Sequence, residues 1–221
     1  MFITTIEPFY SIIYDYQGNP LYYLRKKHEM MDFKLQPDGR LTAWEADPGC
    51  PFALDSTYTF VDRFHAPEGY WCDDHELQVL ANGEYYIIVK DERQMDLTQW
   101  GGQPDAWIIG CHVAHMDADD NLIWIWRSWD HIEEMEVIDG VGGENSIDDD
   151  WIDYMHMNAI DFDLDGNIVV SNRHMSEITK INRQTGDIMW RLGGKKDYFT
   201  WTNNDDRLSY QHSVRVLPNG H

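Results

Sequence analysis

Basic residues are scarce in this sequence. Lys and Arg number 17 against 39 Asp and Glu, which gives a formal net charge of −22. Proteins that bind nucleic acid need clustered positive charge to neutralise phosphates, so this balance argues against a nucleic-acid partner and equally against an anionic membrane surface. A small anionic ligand is still acceptable, because its binding site needs positive charge only locally.

Long apolar runs and paired cysteine motifs are also missing. No stretch approaches the roughly 18 apolar residues of a transmembrane helix, so no membrane insertion is expected, and residues 1–10 lack the features of a signal peptide. The cysteines, Cys50, Cys72 and Cys111, form no CxxC pair, which argues against structural zinc. Three cysteines allow at most one disulfide, and the sequence leaves their pairing open.

No segment has a sustained helical period, whereas strand-forming residues are plentiful. Aromatic residues make up 14% of the chain, with 10 Trp and 12 Tyr, and such residues favour strands. The hydrophobic content of 43% argues against disorder. We therefore expect an all-β protein with little helix, long enough to bury a substantial core.

A repeated pattern predicts the architecture. Five segments share alternating apolar residues followed by a tight turn rich in Asp, Asn and Gly, a strong hairpin signal because these residues accept positive φ. The turns lie at Asp38, Asn82, Asp120, Asp165 and Asn219. They recur about every 40–50 residues, which is the period of β-propeller blades.

The repeats predict one β-propeller domain over residues 1–221, with about four to five blades. Loops between blades are expected at 47–51, 94–105, 139–150 and 195–206, where Gly, Pro, Asn and Asp concentrate, and one long strand is expected over Leu54 to Phe64. The last repeat stops just after its turn, which would leave an open strand edge. We therefore expect a fragment that lacks early blades and the end of the last blade.

Histidines recur at equivalent positions in successive repeats. His75, His156 and His212 each precede a predicted inner strand, and His115 lies in a similar place; the strand after His212 is predicted over Val214 to Leu217. The inner strands of a propeller line its central channel, so residues at the same end of each converge. We expect these histidines to face one another there. The alternative is that they cap turns or lie on the surface.

The hairpin after His156 adds an amide and a guanidinium. Asn158 begins its first strand and Arg173 ends its second, on either side of a turn at Asp165. A hairpin brings its two ends together, so these groups should meet. They suit a tetrahedral oxyanion, with imidazoles as nucleophile and acid. No metal is expected, because Arg keeps its proton and repels cations.

These residues lie in motifs that resemble those of the bacterial arylsulfate sulfotransferases. The similar segments, in family order, are Asp73 to Leu77, Trp126 to His131, Asp153 to Asp161, Ser171 to His174, Thr185 to Gly194 and Tyr210 to His212. The resemblance implies a six-bladed propeller with the site in its central channel. It also implies ping-pong transfer of a sulfuryl group from an aryl sulfate donor to a phenolic acceptor, with no nucleotide donor and no cofactor.

The resemblance also implies a role for each residue. By position, His212 would be the nucleophile that carries the sulfuryl group as a sulfohistidine. His75, His156 and Arg173 would bind the sulfate oxygens and stabilise the transition state, with Asn158 in support.

The aryl ring of the substrate also needs a binding surface. Tyr210 is a candidate to stack on it, as are Trp71 and Tyr154, although each could instead pack in the core. The resemblance implies a periplasmic or secreted protein, although this sequence shows no leader, so the compartment is left open. The physiological substrates and the oligomeric state, including a homo-oligomer, are open too.

Three other functions compete with this interpretation. A non-catalytic propeller that serves as a binding module would keep the repeats and make the histidines incidental. A quinoprotein-like propeller is suggested by Thr185 to Trp190, but that pattern occurs once here rather than in every blade. A metal-dependent hydrolase or lactonase is the third alternative.

Overall fold

The structure, a computed structural model, describes residues 1–131, 147, 149–202 and 207–220. Within these ranges the chain forms sixteen β-strands and two short 3-10 segments, at Thr98–Trp100 and at 128–131. The expectation of an all-β protein with little helix is therefore confirmed. No helix in the described part of the chain is long and apolar enough to cross a membrane.

The strands form four sheets, each built from strands that follow one another in the chain. The first sheet contains β1 (Phe2–Thr4), β2 (Tyr10–Tyr14) and β3 (Pro20–Arg25). The second sheet contains β4 (Met30–Leu35), β5 (Leu41–Glu45), β6 (Cys50–Leu54) and β7 (Phe60–Arg63). Neighbouring strands in both sheets are antiparallel.

The third and fourth sheets follow the same plan. The third contains β8 (Trp71–Val79), β9 (Tyr85–Met95), β10 (Ala106–Met116) and β11 (Leu122–Arg127), and β12 (Trp151–Asp153) adds to β10 in parallel. The fourth contains β13 (Met157–Phe162), β14 (Ile168–Asn172), β15 (Glu177–Ile181) and β16 (Ile188–Gly193). Sheets of consecutive antiparallel strands are the blades of a β-propeller, so the predicted fold class is confirmed with four blades.

The chain divides into two compact units. The first comprises Met1–Val89 with Ala114–Trp124, and the second comprises Lys90–Val113 with Ile125–His221. The single domain and the missing blades stay predictions.

The first unit has its core between the first two sheets. Apolar side chains of β4, β5 and β6 form a buried cluster there. Its members are Met30, Phe33, Leu41, Ala43, Phe52 and Leu54, with Ile13, Tyr22 and Leu24 packed against it. Apolar burial of this kind is worth about 25 cal/mol per Å² and is the main stabilising term of such a sheet pair.

The second unit contains the hairpin that the sequence predicts around Asp165. Strand β14 is buried along its whole length, and the turn before it closes with Asp163 N donating to Asn167 O at 2.9 Å. Lys180 Nζ lies 2.5 Å from Asp163 and 2.6 Å from Asp165. The hydrogen bond from Lys180 lowers the pKa of Asp165 to about 2, so the Asp165 carboxylate is ionised and paired with Lys180 at neutral pH.

Several predicted strands have different bounds in the structure. The strand expected over Leu54 to Phe64 is two strands, β6 and β7, because Asp55 accepts hydrogen bonds from Thr57 N and Thr59 N and turns the chain. Within the predicted loop at 94–105, the structure contains the end of β9 and the 3-10 segment at Thr98–Trp100. Most of the loop predicted at 139–150, and part of that at 195–206, lies outside the described residues.

The predicted position directly before a strand is correct for one of these histidines. His156 directly precedes β13, but His75 lies inside β8 and His115 lies inside β10. The strand expected over Val214 to Leu217 does not form, and Val216 N donates instead to the side chain of Asp161, with 2.7 Å to Oδ2. Cys50, Cys72 and Cys111 are all buried, and none of them forms a disulfide.

Candidate functional site

The site in the second unit is built on the segment 210–213, which lies against the β13–β14 hairpin. The side-chain amide of Asn158 binds this segment twice: Nδ2 donates to Gln211 O at 3.0 Å, and Oδ1 accepts from Ser213 N at 3.2 Å. Ser171 Oγ donates to the same Gln211 carbonyl at 3.3 Å. Asn158 is only 3% exposed, so these bonds form away from water, where polar contacts are strongest.

Gln211 anchors the same segment through its own side chain. Its Nε2 lies 3.2 Å from Ser171 Oγ, 3.2 Å from Asn172 O and 3.0 Å from Glu177 O. An amide nitrogen has two protons, so at most two of these acceptors are served at once. The backbone on either side of His212 is therefore fixed by two side-chain amides, those of the buried Asn158 and the half-buried Gln211.

The His212 imidazole lies at the surface of this segment. Its Nδ1 is 3.1 Å from Tyr210 O. A carbonyl oxygen only accepts hydrogen bonds, so in the neutral ring Nδ1 carries the proton and Nε2 carries the lone pair. The ring centroid is 6.1 Å from that of His156, edge to face. The contact with Tyr210 O therefore defines the tautomer of the neutral His212 ring.

His156 is held by the carboxylate of Asp153. Its Nδ1 lies 2.8 Å from Asp153 Oδ2, and its backbone N–H donates to Asp153 Oδ1 at 3.1 Å. These bonds maintain a left-handed backbone at His156, with φ of 49°, a conformation that costs a non-glycine residue about 1 kcal/mol or more. Burial alone would raise the pKa of Asp153, but the hydrogen bond from His156 and the charge of Lys90 hold it below its ordinary value.

Arg173 is fixed beside these rings. Its Nη1 lies 2.6 Å from Nε2 of His174, and its Cζ lies 4.5 Å from the centre of the Tyr210 ring. His174 in turn places Nδ1 2.5 Å from the backbone oxygen of Asp153, and its ring centroid is 4.6 Å from that of His156. The site thus carries one permanent positive charge next to two imidazoles.

Sequence reasoning did not include His174 among the functional residues. The signal that could have found it is its position directly after Arg173, where the two strand ends meet: Arg173 N donates to His156 O and His174 N donates to Met155 O, both at 3.1 Å. These bonds extend the β13–β14 pairing by one step. They place two consecutive side chains, a guanidinium and an imidazole, beside the loop that carries His156.

His75 belongs to the first unit and has a different environment. Its Nδ1 lies 2.9 Å from Asp73 Oδ1 and 3.1 Å from Asp74 Oδ1. Burial lowers the pKa of His75, but the hydrogen bonds to the two carboxylates outweigh it and raise the pKa to about 10. His75 is therefore an imidazolium at neutral pH, a form that can bind an anion but cannot act as a nucleophile.

The structure brings together four of the six predicted site residues in the second unit: His156, Arg173, Tyr210 and His212. Asn158 lies behind them and contacts the backbone around His212, so direct substrate binding by Asn158 stays a prediction, as does the approach of His75 to this group.

The other candidate residues lie in three different environments. His115 lies 2.9 Å from Glu84 and stacks on Tyr86, while Tyr154 is 6% exposed and belongs to the core. Trp71 is 42% exposed.

The site fits an anion better than a metal ion. Asp153, His156 and His174 each have a potential ligand atom, and these atoms lie within 4.8 Å of one another. However, Asp153 accepts from His156, and Nε2 of His174 faces the guanidinium of Arg173. A permanently charged guanidinium at such an atom repels a cation and attracts an oxyanion.

Solved structures resemble this chain at low sequence identity. A protein of unknown function from Bacteroides caccae aligns with a TM-score of 0.55 and 11% identity, over 96% of this chain and 59% of that one. Streptogramin B lyase aligns with a TM-score of 0.45 and 12% identity, over 83% and 47%. Glutaminyl cyclase from Myxococcus xanthus aligns with a TM-score of 0.45 and 13% identity, over 86% and 64%.

The chain therefore spans about half to two thirds of the length of these structures, and the first of them bears on fold alone. A comparison with curated proteins finds no match. A family model described as arylsulfotransferase (ASST) matches residues 50–221, which is more than half of the chain and includes every predicted site residue. The chain belongs to the arylsulfotransferase (ASST) family.

Proposed function

We propose that this protein transfers a sulfuryl group from an aryl sulfate to a phenol, with His212 as the nucleophile. The observation that carries the proposal is the anchoring of segment 210–213, which fixes the His212 ring beside His156 with Nδ1 bonded to a carbonyl. A neutral imidazole in that tautomer offers the Nε2 lone pair for attack. Membership of the arylsulfotransferase family supports the reaction class.

In the first half-reaction, Nε2 of His212 attacks the sulfur of the aryl sulfate. An N–S bond forms as the S–O bond to the aryl group breaks, and the electron pair of that bond leaves with the phenolate. The departing phenolate takes a proton from a histidine of the site. The product is a sulfohistidine in which the positive imidazole ring carries a negative sulfonate, so charge is balanced.

The second half-reaction reverses these steps with a phenolic acceptor. A histidine removes the phenol proton, the phenolate oxygen attacks sulfur, and the N–S bond breaks to restore neutral His212. By analogy with phosphoryl transfer, the transition state is loose, so positioning and charge stabilisation dominate. Arg173 supplies permanent positive charge for the sulfate oxygens, and we assign oxygen binding to His156 as well.

The roles of Tyr210 and His75 are part of the same proposal. Tyr210 lies under the Arg173 guanidinium and precedes His212 by two residues, so its ring is placed to contact the aryl group of a substrate. For His75, the support is its charged state: two carboxylates hold it as an imidazolium, which suits the binding of sulfate oxygens.

The test is to trap the covalent intermediate. The protein is incubated with 4-nitrophenyl sulfate and no acceptor, and its peptides are analysed by mass spectrometry. We expect a mass increase of one sulfuryl group on the peptide that contains His212, one equivalent of released 4-nitrophenolate per chain, and loss of the adduct when phenol is added. The substitution H212A should abolish all three while the circular dichroism spectrum is unchanged.

A matched control is H65A, since His65 is an exposed histidine of the first unit that pairs with Asp120. That variant should transfer normally. Full transfer activity in H212A, or an adduct on another residue, would refute the nucleophile assignment. A stable wild-type protein that binds aryl sulfates but never forms the adduct or transfers the group would favour the non-catalytic binding module.

A further inference from the structure

The contact between Arg173 and His174 defines the protonation state of the histidine. A guanidinium has only donors, so Nε2 of His174, 2.6 Å from Arg173 Nη1, must accept and therefore carries a lone pair. Nδ1 lies 2.5 Å from the backbone oxygen of Asp153, which has no proton to give, so Nδ1 carries the proton. Both ring nitrogens thus have assigned roles, and together they require a neutral imidazole.

The same contact restricts the Arg173 side chain. A mobile Arg side chain loses rotamer entropy when it binds a ligand. Here His174 holds one end of the guanidinium and the Tyr210 ring lies under its plane. The guanidinium fork has five N–H donors, so it can bond to His174 and to sulfate oxygens at the same time.

We propose that His174 is a positioning residue that holds Arg173 in place for sulfate binding, and that it does so as a neutral imidazole. This inference rests on the proposed function, since sulfate is the anion that Arg173 would bind. His174 itself need not touch the substrate. Its effect is exerted through Arg173.

The charges around His174 are consistent with this role. Burial and the nearby positive charges of His156 and Arg173 lower the pKa of His174, against the opposing effect of Asp153 on β12. Tyr210, in the segment 207–220, has its ring centre 6.3 Å from that of His174. A proton on Nε2 would replace the acceptor with a donor facing Arg173, and the two cations would repel each other.

Three substitutions of His174 distinguish the contribution of Nε2 to sulfate binding from that of Nδ1. In H174Q the side-chain oxygen can reach the position of Nε2 and accept from Arg173, whereas in H174N the shorter amide reaches only the position of Nδ1. H174F keeps the ring and loses both bonds. We expect H174Q to bind inorganic sulfate within about threefold of wild type, and H174N and H174F to bind about 10- to 100-fold more weakly, the usual cost of losing a charge-assisted hydrogen bond.

The double variant R173Q/H174N tests whether His174 acts through Arg173. If it does, this variant should bind sulfate no more weakly than R173Q alone. Losses that multiply would overturn the inference. The matched control H65N removes an exposed histidine that bonds to Asp120 and should leave sulfate binding unchanged. The same variants assayed for transfer should show a fall in kcat/KM in the same order, since Arg173 binds the sulfate oxygens of the donor and of the transition state.

A final measurement does not depend on the reaction. Nitrogen NMR of the wild-type imidazoles at pH 7 should show His174 as the neutral Nδ1–H tautomer, and an Nε2–H tautomer or an imidazolium would overturn the inference. If His212 formed no adduct while sulfate binding still depended on His174 through Arg173, the sulfuryl-transfer reaction would be rejected and the role of His174 supported. If transfer occurred and the R173Q/H174N cycle showed independent effects, the role of His174 would be rejected and the reaction retained.

Discussion

Asn158 holds the backbone on both sides of His212. Its amide donates to the carbonyl of the residue before His212 and accepts from the N–H of the residue after it, at 3.0 and 3.2 Å. The segment 210–213 contains left-handed backbone at Tyr210 and Ser213, with φ of 52° and 59°. Such conformations cost on the order of 1 kcal/mol each and persist where the surroundings enforce them. Only a side chain that both donates and accepts can hold the segment in this way.

The substitution N158D should therefore impair the position of His212. A carboxylate accepts from Ser213 N but cannot donate to Gln211 O, and it places a buried negative charge against that carbonyl. We expect kcat to fall about 10- to 100-fold with little change in KM, and the free energy of unfolding to fall by about 1–3 kcal/mol. Steady-state kinetics with 4-nitrophenyl sulfate and urea unfolding measure the two effects.

The control for this prediction is N182D. The side-chain oxygen of Asn182 accepts from Gln184 N and Thr185 N in an exposed turn, a role that a carboxylate fills equally well. That variant should keep its stability and activity. A normal kcat in folded N158D would mean that the two hydrogen bonds from Asn158 to the backbone around His212 have no part in catalysis.

The structure gives a steric reason for glycine at position 193, in the run Leu192-Gly193-Gly194. Gly193 has φ of 83°, and a Cβ there would lie 2.6 Å from the backbone oxygen of Ser176. G193A should therefore lose more than about 2 kcal/mol of unfolding free energy, since backbone strain and a clash with a carbonyl add. The measurement is the midpoint of urea unfolding.

G166A is the matched control for the clash. Gly166 also has positive φ, 77°, but a Cβ at Gly166 would meet no atom within 4 Å. It should lose only about 1 kcal/mol from backbone strain. Equal losses in G193A and G166A would show that the contact with Ser176 is unimportant.

His75 should titrate far above an ordinary histidine. Its carboxylate partners raise its pKa to about 10, against an unfolded value of about 6.5. The stability that this charge contributes is therefore fully present below about pH 6.5 and is lost as pH rises through about 10. NMR titration should show the His75 imidazolium at pH 8, where His174, whose pKa is lowered, is neutral.

Replacement of His75 tests the same linkage thermodynamically. The difference in unfolding free energy between wild type and H75Q should be largest near pH 6 and should shrink toward pH 10. A difference that does not vary with pH over this range would mean that His75 is not held as an imidazolium by Asp73 and Asp74.

The architecture could be predicted from the sequence because propeller blades are local structures. Side chains alternate between the two faces of a strand with a period of two, and turns such as that at Asp165 to Asn167 need residues that accept positive φ. Both features can therefore be recognised in short stretches of sequence. The grouping of His156 with Arg173 follows from the same logic, since a hairpin returns to its starting end. The bounds of β6 and β7 were missed because Asp55 uses its side chain to turn the chain, and no glycine marks the place.

The roles of Asn158, His174 and His212 depend on the tertiary structure. Asn158 looks like a substrate-binding amide in the sequence, yet its partners are backbone groups of Gln211 and Ser213, more than fifty residues later. The tautomers of His174 and His212 are likewise decided by carbonyl oxygens and a guanidinium that folding brings within hydrogen-bond distance. The sequence determined which chemical groups the chain contains and that His156 and Arg173 lie at the same end of one hairpin. Only the folded backbone decided which nitrogen holds a proton, because every residue has a carbonyl and its direction is a property of the fold.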